Sequence, residues 1–86
     1  MYKVELGREP EKFYRKQNRK IQIQISISLR KLASNPRSEQ AKKLAGMDEL
    51  YRVRLGDYRI VYRIEDDRLV VLIVRIAHRR EVYRGL

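Results

Sequence analysis

The amino-acid sequence predicts an α+β fold, in which two N-terminal helices pack on a small, mostly antiparallel four-stranded sheet. Apolar residues recur at every second position over residues 51–55 and 58–64, on both sides of Gly56 and Asp57, which is typical of a β-hairpin. Residues 69–76 are nearly all β-branched or leucine, which is typical of a strand covered on both faces. The first half of the chain instead carries apolar residues at helical spacing.

The first strand and the first helix follow from short local patterns. Apolar and charged side chains alternate over residues 2–6, which predicts a strand. Pro10 suits an early helical position, and Phe13 and Tyr14 follow at helical spacing. We therefore expect a short helix over residues 9–17.

The second helix is predicted from its ends, because its middle is ambiguous. Asn18 is a good N-cap, and the pair Asn35 and Pro36 would stop a helix. Isoleucine alternates with Gln and Ser over residues 21–28, which by itself is a strand pattern. The segment closes with the good helix formers LRKLA, so we favour a helix. Half of the isoleucines would then face a second surface.

Three further local features complete the predicted architecture. Ser38 could cap a short helix over residues 39–45. Gly56 precedes Asp57 in the hairpin turn, and glycine in first place is what a type II′ turn requires. A short basic tail, residues 78–86, follows the last strand.

Composition limits the class of protein. The 86 residues suffice for one domain with one small core, so we treat residues 1–86 as a single domain. A formal net charge of +10 points to nucleic acid, an acidic protein or an anionic membrane surface as the partner. No apolar run approaches the roughly 20 residues that span a bilayer, and the N-terminus lacks the apolar region of a signal peptide. With no cysteine, disulfides and thiolate metal sites are excluded, and we expect a cytoplasmic protein.

The predicted hairpin brings three arginines together. A turn at residues 56–57 places Arg54 opposite Arg59, and Arg52 lies two residues back on the same face. Like charges directly opposite each other destabilise a sheet by roughly 0.2–1 kcal/mol per pair, and no acidic residue lies among the three. A bound polyanion would resolve this repulsion, because guanidinium pairs with phosphate bidentately. The alternative is a solvated basic face.

The tail adds further basic and aromatic groups beyond the last strand. These are His78, Arg79, Arg80 and Tyr83. The last strand should run beside the second hairpin strand, so that its end returns close to the arginines. Basic groups with a tyrosine among them suit RNA, since the ring can stack on an unpaired base. The alternatives are a packed C-terminal aromatic for Tyr83 and a surface or packing residue for His78.

The sequence offers one route to RNA cleavage. A β-turn explains Asp66 and Asp67, no cluster of His and carboxylates suggests a metal, and no glycine-rich phosphate loop is present, so we expect no metal and no cofactor. A ribose 2′-OH could attack the adjacent phosphate, with arginines stabilising the charge of the transition state. Tyr83 could then take the 2′-OH proton, and Arg79 could protonate the leaving oxygen.

The stretch from Lys43 to Tyr83 resembles the RelE/ParE toxin superfamily, most specifically in YRVRLGDYRIVY and HRREVY. The order of the upstream elements is also similar, so the resemblance covers nearly the whole chain. It implies a microbial toxin of a type II toxin–antitoxin system that forms a hetero-oligomer with a cognate antitoxin. For the RelE branch, it implies an endoribonuclease that cuts messenger RNA in the A site of the ribosome.

The resemblance to the RelE branch implies a role for each position that matches the motif. The two basic residues ahead of the hairpin turn fall on Arg52 and Arg54, and the arginine that stabilises the phosphate falls on Arg59. The residue proposed as general acid falls on Arg79. The residue proposed as general base falls on Tyr83.

Differences from the RelE pattern leave alternatives open. Arginine stands where the branch has lysine at both positions ahead of the turn, which keeps the charge but removes a residue whose pKa could shift. The segment between Arg79 and Tyr83 is short, so Arg80 could replace Arg79 as the acid, and His78 is a further candidate acid or base. The alternative functions are a ParE-like toxin that inhibits DNA gyrase without cutting RNA, and an RNA-binding protein without catalysis.

Overall fold

A computed structural model describes residues 1–47 and 49–86 and contains, in those ranges, two helices and five strands. In chain order these are β1 (Lys3–Leu6), α1 (Arg8–Lys16), α2 (Arg19–Ser34), β2 (Lys42–Lys43), β3 (Leu50–Leu55), β4 (Tyr58–Glu65) and β5 (Val70–His78). The strands form a sheet in the order β1-β5-β4-β3-β2, with β1 parallel to β5 and the other pairs antiparallel. The α+β prediction is confirmed, and the fifth strand is the two-residue β2 at the sheet edge.

The segment between α2 and β3 differs from the sequence prediction, and the helix expected over residues 39–45 is wrong. The amide of Ala41 donates to the carbonyl of Ser38 in a turn, and β2 then pairs antiparallel with β3. A helix of seven residues is too short to be stable by itself in water. The free edge of β3 offers the same backbone groups hydrogen-bond partners, so the strand forms instead.

The two helices begin and end close to the predicted positions. Acidic residues lie in the first turn of α1 and basic residues in its last turn, which complements the helix dipole. The Asn18 side chain caps α2 by accepting from the amide of Ile21 at 3.0 Å. Ile25 and Leu32 are buried on the inner side of α2, whereas Ile23 and Ile27 stay about half exposed. Burial of one face therefore selects the helix over the strand that the alternating pattern also allowed.

The hydrophobic core lies between the helices and one face of the sheet. It contains Ile25, Leu32, Val53, Ile60, Tyr62, Val71, Ile73 and Ile76. The hydroxyl of Tyr62 donates to the carbonyl of Pro36 at 2.6 Å, which satisfies the polar end of this fully buried ring. Burial raises the pKa of Tyr62 to about 12, so the hydroxyl stays protonated and remains a donor.

A polar cluster of three side chains closes the end of the sheet near the β4–β5 turn. Arg37 donates two hydrogen bonds to the carboxylate of Asp66, at 3.0 and 2.7 Å, and the Tyr2 hydroxyl donates to the same group at 2.5 Å. The hydrogen bonds from Arg37 and then Tyr2 lower the pKa of Asp66 from 3.8 to about 2. Because the folded-state pKa is depressed, ionised Asp66 stabilises the fold above about pH 4, and this stabilisation is lost as the pH falls toward 2.

Replacing Asp66 by asparagine is expected to make the free energy of unfolding less dependent on pH between about 4 and 2 than in the unchanged protein. Urea denaturation at several pH values between 2 and 6, followed by circular dichroism, measures this dependence. Asp67→Asn is the matched control, because Asp67 is the exposed neighbour in the turn and forms no ion pair within residues 1–47 and 49–86. Equal pH dependence in Asp66→Asn and the unchanged protein would contradict the prediction.

Candidate nucleic-acid interface

The hairpin between β3 and β4 has the predicted turn and register. Gly56 has a φ of +58°, whereas Asp57 does not have a positive φ, as a type II′ turn requires. Leu55 pairs with Tyr58, and Arg54 pairs with Arg59. The predicted juxtaposition of the two arginines across the hairpin is therefore confirmed.

Two cross-strand rows of side chains form the face of the sheet that points away from the core. The first row runs through Arg54, Arg59 and Ala77, and the second runs through Arg52, Val61 and Arg75. Neighbouring Cβ atoms within such a row lie about 4.5–5.5 Å apart. We call the surface formed by Arg52, Arg54, Arg59 and Arg75 the basic face.

The positive charge of the basic face is not neutralised by any acidic side chain within residues 1–47 and 49–86. None of its four arginines forms an ion pair with an acidic side chain in the part of the chain that the structure describes. Elsewhere, Arg15, Arg37, Arg63 and Arg68 each contact a carboxylate. The contrast makes the guanidinium groups of Arg52, Arg54 and Arg59 suited to an external polyanion such as an RNA backbone.

Arg59 is held in place by the turn that precedes it. Its Nη1 donates to the carbonyl oxygens of Gly56 and Tyr58, both at 2.8 Å. A guanidinium has five N–H donors, so the other nitrogens remain able to bind a phosphate. The turn thus orients Arg59 on the basic face before any ligand binds.

A β-bulge decides which side chains of β5 lie on the basic face. Val61 pairs with Arg75, but the next residue, Tyr62, pairs with Ile73, so β5 contains one extra residue at this point. The core-facing residue that follows Ile73 along β5 is therefore Ile76, three residues later, whereas a regular strand would place it two residues later. The shift places Arg75 and not its neighbours on the same face as Arg52.

The tail after β5 begins at the hairpin turn. The amide of Arg79 donates to the carbonyl of Asp57 at 2.7 Å, which brings this backbone next to the turn that holds Arg59. Arg79 and Arg80 are both exposed there. The amides of Glu81 and Val82 then donate to the carbonyl of His78, which turns the chain back on itself.

Arg75 binds the backbone of the tail over the basic face. Its Nη1 donates to the carbonyl of Val82 at 3.3 Å and also to the carbonyl of Arg84. Val82 is fully buried, and so is Val61 in the middle of the second row, although neither belongs to the main core. The tail therefore covers part of the basic face, and Tyr83, which lies in this segment between Val82 and Arg84, is 40% exposed.

Sequence reasoning missed Arg75 as a residue of this surface, although one signal was available. Arg75 is the only charged residue of β5, within the otherwise apolar stretch VVLIVRIA. A charge inside a buried strand needs a polar partner, and here the partners are the carbonyls of the tail.

His78 lies apart from the other residues expected in the site. It pairs with Tyr58, and its ring packs edge-on against the Tyr58 ring at a centroid distance of 6.1 Å, on the core side of the sheet. Its Nδ1 accepts from the amide of Arg80 at 3.2 Å, which orders the start of the tail. The structure thus brings Arg52, Arg54 and Arg59 onto one face, but it does not bring His78 to that face. The backbone of Arg79 lies at the hairpin turn, and Tyr83 lies in the segment of the tail that Arg75 binds.

The described residues contain no group of three or more His, Cys, Asp or Glu side chains placed to hold a metal ion. Neither helix in this same part of the chain is long and apolar enough to cross a membrane. The groups that the basic face and the tail offer to a ligand include guanidinium groups, the phenol of Tyr83, the carboxylate of Glu81 and backbone amides.

Comparison with known proteins agrees with the fold and identifies the family. Residues 5–83 match the family model described as ParE toxin of type II toxin-antitoxin system, parDE. The chain is 31% identical over 86 residues to the mRNA interferase toxin RelE of Escherichia coli (strain K12), covering 95% of this chain and 90% of that protein. The chain belongs to the RelE/ParE superfamily of toxins and, within it, to the RelE type.

Solved structures show the same similarity in three dimensions. The toxin in the intact E. coli RelBE toxin–antitoxin complex matches with a TM-score of 0.80 and 28% identity, covering 91% of this chain and 96% of that chain. The isolated E. coli RelE toxin matches with a TM-score of 0.78 and 28% identity, covering 91% of this chain and 84% of that chain. The resemblance carried by the motifs of the hairpin and the tail is therefore confirmed.

Proposed function

We propose that this chain is a ribosome-dependent endoribonuclease that cuts messenger RNA in the A site without a metal ion. The observation that carries the proposal is a face of arginines that form no ion pair with any acidic residue that the structure describes, together with a tail whose backbone is bound to Arg75 on either side of Tyr83. Similarity to an mRNA interferase toxin supports the endoribonuclease activity. In this proposal, residues 1–86 act as one toxin domain.

The arginines of the basic face have two roles in the proposal. Arg52 and Arg54 bind phosphates of the messenger RNA, and Arg80 extends this binding along the tail. Arg59 contacts the phosphate that reacts and stabilises the negative charge that its oxygens gain in the transition state. Its hydrogen bonds to the turn favour this role, since a donor that is already oriented needs no reorganisation during the reaction.

Tyr83 and Arg79 move the protons. Tyr83 takes the proton of the ribose 2′-OH while the 2′-oxygen forms a bond to phosphorus. The bond from phosphorus to the 5′-oxygen breaks, and Arg79 gives a proton to that oxygen. The products are a 2′,3′-cyclic phosphate and a 5′-hydroxyl. His78 has no part in this proposal, because its ring packs against Tyr58 on the other face of the sheet.

We also propose a cognate antitoxin, with which the chain forms a hetero-oligomer. A net charge of +10 suits a partner with an acidic, amphipathic segment that folds on binding. Two surfaces fit such a segment, namely the basic face and the side of α2 on which Ile23 and Ile27 are about half exposed. Solved complexes of RelE with its RelB antitoxin support this part of the proposal.

The test of the proposed function is to add the purified protein to ribosomes paused on a defined message and to map the new 5′ ends by primer extension. We expect cuts confined to the A-site codon. Slow cleavage of the same RNA without ribosomes is compatible with the proposal, because the A site can position the RNA for attack. An absence of cuts on intact ribosomes would contradict the proposal.

A second candidate function is a ParE-like toxin that inhibits DNA gyrase without cutting RNA. The match of residues 5–83 to the ParE toxin model favours it. A gyrase supercoiling assay with the same preparation separates the two. Inhibition of supercoiling together with intact messages on the ribosome would support the second candidate over the nuclease.

A further inference from the structure

We propose that Arg75 is a positioning residue, which fixes Tyr83 over the basic face by binding the backbone on both sides of it. The proposal rests on the proposed role of Tyr83 as the general base. Arg75 itself has no contact with the reacting atoms in this proposal. It acts through the tail.

The contacts of Arg75 are placed to fix Tyr83. One guanidinium nitrogen donates to the carbonyl oxygens of Val82, at 3.3 Å, and of Arg84. These two residues flank Tyr83 in the chain, so the backbone on either side of the tyrosine is tied to a strand of the sheet. Hydrogen bonds from a charged donor are roughly twice as strong as neutral ones, which suits them to hold a short exposed segment.

The tail has few other restraints beyond Val82. The side chain of Val82 is fully buried, but all the residues that follow it are exposed. Their backbone hydrogen bonds are local, from Arg84 to Glu81 at 3.1 Å and from Leu86 to Tyr83 at 3.4 Å. Without Arg75, the buried side chain of Val82 would still anchor the start of the tail. The backbone that follows Tyr83 would lose the hydrogen bond that ties the carbonyl of Arg84 to the sheet.

The position of Arg75 in the sheet explains why it reaches the tail rather than an acidic side chain. Arg75 is half-buried at the end of the row that starts with Arg52 and passes through Val61. It forms no ion pair in the ranges that the structure describes. The β-bulge turns its side chain toward the tail, so a local irregularity of β5 sets the geometry of Tyr83.

The first experiment compares Arg75→Ala with the unchanged protein in single-turnover cleavage on paused ribosomes. We expect the cleavage rate at saturating toxin to fall about 10- to 100-fold, since small misplacements of a catalytic group have effects of this size. The affinity for the ribosome should stay within about twofold, because Arg75 is occupied by the tail rather than by RNA. Arg75→Lys should recover part of the rate, since an ammonium group can still bind one of the carbonyls.

The second experiment repeats the substitution in a Tyr83→Phe background. If Arg75 acts through Tyr83, Arg75→Ala should cause no further fall in the cleavage rate of the double variant. A further fall equal to that in the unchanged background, or a marked loss of ribosome affinity, would show that Arg75 binds RNA directly and would overturn the proposal. Arg63→Ala, on the neighbouring strand, is the control for the loss of one exposed arginine.

Amide hydrogen exchange tests the contact independently of catalysis. The amides of Arg84 and Leu86 should exchange faster in Arg75→Ala than in the unchanged protein, while those of β4 should not change. Unchanged exchange in the tail would overturn the proposal even if cleavage fell. If the unchanged protein cut no RNA but Arg75→Ala loosened the tail, the proposed function would fail and the structural role of Arg75 would stand.

Discussion

Replacing Tyr83 by phenylalanine is expected to lower the rate of A-site cleavage roughly 10²- to 10⁴-fold, the range typical of a lost general base. Phenylalanine keeps the ring, so stacking on a base and packing of the tail are retained, and only the oxygen that accepts the proton is removed. Binding to the ribosome should therefore stay close to that of the unchanged protein. Single-turnover cleavage and ribosome co-sedimentation measure the two effects separately.

Tyr58→Phe is the matched control for this experiment. Tyr58 is a tyrosine at the start of β4, directly after the hairpin turn, and its ring packs against Phe13 and His78 on the core side. Loss of its hydroxyl should leave cleavage nearly unchanged. Cleavage by Tyr83→Phe at the rate of the unchanged protein would show that another group takes the 2′-OH proton.

Replacing Arg59 by alanine is expected to lower the cleavage rate about 10²- to 10³-fold, as the loss of one oriented donor does at sites that stabilise a developing negative charge. The reason is that the hairpin turn holds the guanidinium group of Arg59 in place. Arg59 also lies in the middle of the first cross-strand row, between Arg54 and Ala77. Arg59→Lys should restore little of the rate, because an ammonium group lacks the planar fork that binds phosphate bidentately. The same primer-extension assay under single-turnover conditions measures both variants.

Arg63→Ala is the matched control for Arg59→Ala. Arg63 lies on the same strand and, by its pairing with Leu50, on the same face of the sheet. A guanidinium nitrogen of Arg63 lies 3.5 Å from a carboxylate oxygen of Glu65. Arg63 is four residues from Arg59 along β4. Equal losses in the two variants would mean that general positive charge drives cleavage, which would contradict the specific role of Arg59.

The sequence by itself determined the hairpin and the three arginines across it. Alternation with a period of two, together with glycine in the first place of a two-residue turn, fixes both the register and the face of each side chain. The cap at Asn18 is equally local, because it depends on one side chain and the amide of Ile21 three residues later. The motifs of the hairpin and the tail also identified the superfamily.

The tertiary structure alone decided the features that depend on contacts distant in sequence. Burial of Ile25 and Leu32 against the sheet selects the helix for α2, and pairing with β3 replaces the helix expected over residues 39–45 by a strand and turns. In β5, the bulge changes which face each following side chain points to. Arg75 therefore lies on the basic face, while His78 packs on the core side. Neither outcome has a local signature, because each depends on which backbone or apolar surface the fold brings alongside the segment.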